Sequence, residues 1–180
     1  YEIGSGLVGS EMCIRDSYTT GPYPLSYNGW GDVLVIVFFG FVPVGGTYYV
    51  QALTWTPDVT IASLICGLLI DTLLVVNNYR DREADARSGK RTVIVRFGEK
   101  FGRYFYLMLG ITASLLCLCF LREGHFYAAF LPQLYLIPHF LTWKRMVKIY
   151  SGKKLNSILG ETSRNMLLMG ILIAIGMLIN

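Results

Sequence analysis

Residues 59–92 read VTIASLICGLLIDTLLVVNNYRDREADARSGKRT. The first eighteen of these hold one charge, Asp71, and the remaining sixteen hold eight. A helix rises ~1.5 Å per residue and needs roughly 20 apolar residues to cross a bilayer core. The apolar part therefore predicts a spanning helix, and the charged part predicts where it leaves the membrane. A buried helix of a soluble protein would show a polar face, and this run has almost none.

The same pattern recurs on both sides. Residues 33–50 (VLVIVFFGFVPVGGTYYV) and 104–121 (YFYLMLGITASLLCLCFL) carry no charge. Residues 124–143 (GHFYAAFLPQLYLIPHFLTW) contain no Asp, Glu, Lys or Arg, and residues 165–180 (NMLLMGILIAIGMLIN) extend a similar run back to Gly160. Hydrophobic residues make up 53% of the chain and charged ones 16%, against about a quarter charged in soluble domains. The expected fold is all-α, a polytopic membrane bundle with five transmembrane helices at about 32–51, 58–78, 102–121, 124–143 and 160–180.

The net charge of +4 matters less than its placement. Arg80, Arg82, Arg87, Lys90, Arg91, Arg96, Lys100 and Arg103 lie within 78–103, and Lys144, Arg145, Lys148, Lys153, Lys154 and Arg164 within 144–164. Lys and Arg collect in cytoplasmic loops. Loops 78–103 and 144–160 are therefore expected in the cytoplasm, in a multi-pass protein of the cytoplasmic (inner) membrane. Alternation then places 18–31 in the cytoplasm and the C-terminus outside. Tethered between spanning helices, these basic loops do not suit nucleic acid. Cys66, Cys117 and Cys119 sit in apolar runs and read as packing residues.

Residues 1–17, YEIGSGLVGSEMCIRDS, lack the basic and apolar regions of a signal peptide. They resemble translated sequencing-adapter sequence, so they are expected to be non-native, with one membrane unit over 18–180. Gly21, Pro22, Pro24, Asn28 and Gly29 make 18–32 a turn-rich loop.

The chemistry concentrates in NNYRDREADARSGKRT, residues 77–92. If the helix continues, Asp81 and Asp85 project from one face. Asp71, Asn78, Asp81 and Asp85 then share about 80° of arc at ~100° per residue. Acids within a membrane usually line a cavity or pathway. Two hard carboxylates at a watery mouth suit Mg²⁺, which takes one or two carboxylates and completes its shell with water and phosphate. Lys90 and Arg91, just beyond Gly89, would neutralise the remaining oxygens of a diphosphate. A solvated helix end with local salt bridges has the same pattern.

This stretch also resembles the second aspartate-rich motif of the UbiA superfamily of intramembrane prenyltransferases. Its Asn-Asn-x-Arg-Asp-x-x-x-Asp-x-x-x-Gly-Lys-x-Thr form is similar to the 1,4-dihydroxy-2-naphthoate prenyltransferases of menaquinone synthesis. YTTGPYPLSYNGWGD and VRFGEKFGRY resemble two further segments of that family, in the same order. The resemblance implies a nine-helix fold with two aspartate-rich motifs. This chain would hold the C-terminal part, with one motif, and would be inactive alone. It further implies Mg²⁺ on Asp81 and Asp85 as metal and catalytic residues, and diphosphate contacts from Lys90, Arg91 and, more weakly, Arg80. Polyprenyl diphosphate and 1,4-dihydroxy-2-naphthoate would be the substrates, and demethylmenaquinone would form with loss of CO₂. Asn77 and Asn78 would position the metal site or cap the helix. Asp71 either lines the cavity or makes a buried structural hydrogen bond. Another aromatic acceptor of the 4-hydroxybenzoate type, or a transporter half-bundle, are the competing readings. His125 and His139, fourteen apart, are not expected to share a metal.

Overall fold

The computed structural model describes residues 29–179, so the expectations for 1–28, including the non-native segment, lie outside the described residues. Five helical units follow in order: α1 (Gly31–Ala52), α2 (Pro57–Arg87), α3 (Val93–Glu123), α4 (126–149) and α5 (Leu155–Ile179). No strand occurs among the described residues.

Local chemistry sets the boundaries. Thr56 caps α2 by accepting the Val59 N–H at 3.3 Å, and Pro57 follows at a position whose own N–H would be unpaired anyway. Thr92 caps α3 in the same way through Val95. Gly98, at φ +86°, breaks the first turn of α3 from the rest. Pro43 lacks an N–H to donate, and residues 36–45 of α1 widen into π-helical turns around it.

Four units, α1, α2, α3 and α5, are long and apolar enough to cross a membrane, where the sequence led us to expect five. The difference is α4. Pro132 sits in a 3₁₀ stretch, Leu131–Tyr135, which divides it into Phe126–Phe130 and Leu136–Ile149. Four other limits also differ from expectation. α2 runs on to Arg87 rather than 78, α3 starts at Val93 rather than 102, α4 ends at Ile149 rather than 143, and α5 starts at Leu155 rather than 160. In α2, α3 and α4 a charged, helix-competent segment extends an apolar one, and in α5 the uncharged LNSIL does. Hydropathy marks where a membrane ends, whereas caps mark where a helix ends.

α2 lies at the centre and packs against α1, α3 and α5. The α1–α2 crossing is close because glycines face it. A Cβ on Gly67 would come within 2.9 Å of Ile36 Cα, and one on Gly40 within 2.9 Å of Gly67 Cα. Val75, Val76, Tyr79, Ile94, Tyr106 and Met146 fill one buried cluster between α2, α3 and α4. Ile65, Leu69, Ala113, Phe120, Tyr135 and Met169 fill the other. The outward surface is apolar as well: only 11% of the most apolar window of α1 is buried. That is the pattern of a multi-pass membrane protein.

His139 belongs to this packing. Its Nε2 donates to the Leu107 carbonyl at 3.3 Å, and its Nδ1 accepts from the Tyr135 hydroxyl at 2.9 Å. Tyr106 stacks on the same ring at 4.7 Å and bonds Thr162 at 3.0 Å.

Candidate active site

α2 has 31 residues, about 46 Å of helix, whereas a bilayer core is about 30 Å thick. Its apolar run ends at Val76, so the turns bearing Asn77 to Arg87 project past the membrane-spanning part. The helix does continue through Asp81 and Asp85, which places the two carboxyls one turn apart on one face.

Asp81 is held by its neighbour. Arg80 Nε donates to Asp81 Oδ1 at 2.7 Å and Nη2 to Oδ2 at 2.6 Å. The same guanidinium donates to Asn77 Oδ1 at 2.8 Å and to Asn156 Oδ1 at 2.9 Å. These hydrogen bonds from Arg80 hold the Asp81 carboxyl below the usual carboxylate range. Arg80, expected at a diphosphate, is here engaged by Asp81, Asn77 and Asn156.

Asp85 is placed differently. Gly89, at φ +78°, turns the chain back, and the Lys90 N–H donates to the Asp85 carbonyl at 2.9 Å. The Lys90 ammonium then lies 3.5 Å from Asp85 Oδ1. Oδ2 of Asp85 is buried with no hydrogen-bond partner. Arg91 is exposed. Asn78 is buried, and together with Asp32, Leu74, Lys90 and Thr92 it lines a cavity of about 20 Å³ beside the motif, room for a single oxygen atom.

Asp71 is not part of that lining. It is fully buried in the α1–α2 seam, where its carboxyl meets that of Asp32 in an acid–acid hydrogen bond and no other side chain pairs with it. Further apolar space lies between α1, α2 and α5. A groove of about 590 Å³ there is walled by Val44, Ile65, Cys66, Leu69, Leu167 and Ile171.

The donor set fits a hard divalent cation. Asp81 keeps a second lone pair on each oxygen, and Asp85 has a buried acceptor without a donor. Among the described residues no three His, Cys, Asp or Glu side chains converge. Two carboxylates completed by water and phosphate oxygens are what Mg²⁺ commonly takes.

Sequence reasoning missed Asp32, Thr92, Tyr150 and Asn156, all brought to this end of α2 by tertiary packing. Only Thr92 carried a usable signal, as a Thr preceding an apolar helix start.

The described residues form an all-α bundle with acids and bases gathered at one helix end, the architecture of a multi-pass membrane protein. The chain belongs to the UbiA prenyltransferase family, whose model matches residues 16–177, and these proteins are prenyltransferase enzymes. It is 36% identical over 167 residues to the 1,4-dihydroxy-2-naphthoate octaprenyltransferase of Haemophilus influenzae, covering 91% of this chain and 53% of that one. It is 40% identical over 112 residues to the Escherichia coli enzyme of the same name, covering 62% and 36%. A UbiA prenyltransferase domain-containing protein 1 from Dictyostelium discoideum is 30% identical over 164 residues, 91% and 48%. The chain thus spans about half the length of the Haemophilus influenzae relative. No solved structure matches.

Proposed function

We propose that this chain forms part of an enzyme that transfers a polyprenyl group from polyprenyl diphosphate to 1,4-dihydroxy-2-naphthoate, with loss of CO₂, to give the hydroquinone form of demethylmenaquinone. The acceptor is taken from the names of the relatives. The observation that carries the chemistry is the pairing of a buried, unpartnered Asp85 oxygen with an Arg80-oriented Asp81, one helical turn apart beside Lys90.

In this reading Asp81 and Asp85 hold Mg²⁺, which when bound supplies positive charge to the departing pyrophosphate. Lys90 leaves Asp85 for the diphosphate oxygens, joined by Arg91. The allylic C–O bond breaks, pyrophosphate takes the electron pair, and the ring carbon bearing the carboxylate attacks the allylic carbon. The C–C bond to the carboxylate then breaks to release CO₂ and restore the aromatic ring. The apolar groove beside Leu69 and Ile171 holds part of the prenyl tail. The two basic loops face the cytoplasm, where a water-soluble acceptor arrives.

The test is Mg²⁺-dependent pyrophosphate release by the full-length gene product, given a polyprenyl diphosphate and the naphthoate. Asp81→Ala and Asp85→Ala should each lower turnover by at least about 10²-fold, the usual cost of losing one preorganised electrostatic contact. Turnover unchanged in both variants would show that these acids are a solvated helix end.

A further inference from the structure

Asp81 lies between two arginines, and both reach the same place. Arg80 donates to Asn156 in the first turn of α5 as well as to Asp81. The Arg82 guanidinium sits 5.0 Å over the ring of Tyr150, the residue that closes α4, and 4.6 Å over the ring of Tyr79. On α3, Arg103 approaches the Tyr150 ring to 5.2 Å and donates to the Tyr79 hydroxyl at 2.9 Å. Glu99 pairs with both arginines, at 3.6 Å to Arg82 and 3.4 Å to Arg103, and accepts from the Tyr150 hydroxyl. The α4–α5 junction, residues 150–156, thus grips α2 on either side of Asp81.

Packing alone does not account for this grip. Tyr150 is 47% exposed, and Asn156 is exposed. Tyr150 also adopts φ +64°, a conformation that L-residues with a large side chain rarely take. The Arg80 hydrogen bonds leave one lone pair on each Asp81 oxygen available, so they orient the carboxylate without consuming it.

We propose that Asn156 is a positioning residue for the Asp81 carboxylate, fixing its direction through Arg80. The proposal rests on the reading of Asp81 and Asp85 as metal ligands. Groups that hydrogen-bond or orient a metal ligand typically change metal affinity by about 10–100-fold when removed.

The test uses this chain in lipid nanodiscs, with Mn²⁺ binding followed by electron paramagnetic resonance and melting followed by circular dichroism. Asn156→Ala should weaken Mn²⁺ binding by about 10-fold with an unchanged melting temperature. Tyr150→Phe, at the same junction but against Arg82 and Arg103, should bind like the wild type. Unchanged Mn²⁺ affinity in Asn156→Ala overturns the proposal. A loss of affinity that tracks a fall in melting temperature overturns it too, because the residue is then merely structural. If the wild-type chain binds no Mn²⁺, the metal reading of Asp81 and Asp85 fails first and the proposal falls with it.

Discussion

Asp71 and Asp81 sit ten residues apart on one helix, on faces about 80° apart, and their circumstances are opposite. Asp81 has both oxygens in the fork of Arg80 and 37% of its side chain exposed. Asp71 is fully buried, and its polar partner is a second acid, Asp32, rather than a cation. The difference lies in which neighbours the fold supplies. Beyond Val76 the helix brings its own cations, Arg80 and Arg82, within one turn. Ten residues before Asp81, at Asp71, the partner surface is set by the α1–α2 crossing. Gly67 against Ile36, and Gly40 against Gly67, draw the two backbones together, and the same register carried one turn further sets Asp32 against Asp71. A carboxyl in a membrane helix is costly, so this one is held there by the packing of its helix rather than by a charge partner.

If the tight crossing is what isolates Asp71, prising it open should have the largest effect. Gly67→Leu forces α1 and α2 apart and should cost at least about 3 kcal/mol, read as a fall in melting temperature in nanodiscs. A wild-type melting temperature would mean that the seam tolerates separation. Asp71→Asn tests the acid pair itself: the amide keeps a donor for Asp32 and removes one carboxyl, so stability should change by less than about 1.5 kcal/mol. A larger loss would show that Asp71 has a partner besides Asp32. At the polar end the effect should be smallest. Arg80→Lys loses the two-pronged grip on Asp81, but the pair is partly solvated, so stability should change by less than about 1 kcal/mol. A larger change would make the polar end as structurally committed as the seam.

The motif read well from the sequence because its logic is local. Asp81, Asp85, Gly89 and Lys90 are within one or two turns of one another, and the Lys90–Asp85 approach follows from a glycine turn between them. Arg80 was harder. Its charge suggested a phosphate contact, yet its donors go to Asp81, Asn77 and Asn156, and the last of these is 76 residues away. α4 is divided because Pro132 cannot donate to the helical ladder, a break that hydropathy alone does not register.

The sequence by itself determined that this is a multi-pass helical membrane protein with a single acid-and-base mouth. Apolar runs of spanning length, and charges packed into the segments between them, permit few other arrangements in a bilayer that offers the backbone no hydrogen bonds. Only the tertiary structure decided which charges are spoken for. It set Asp32 against Asp71, closed Tyr150 between Arg82 and Arg103, and left one oxygen of Asp85 without a donor. Those outcomes depend on the register and crossing of helices far apart in the chain, which residue type and spacing do not encode.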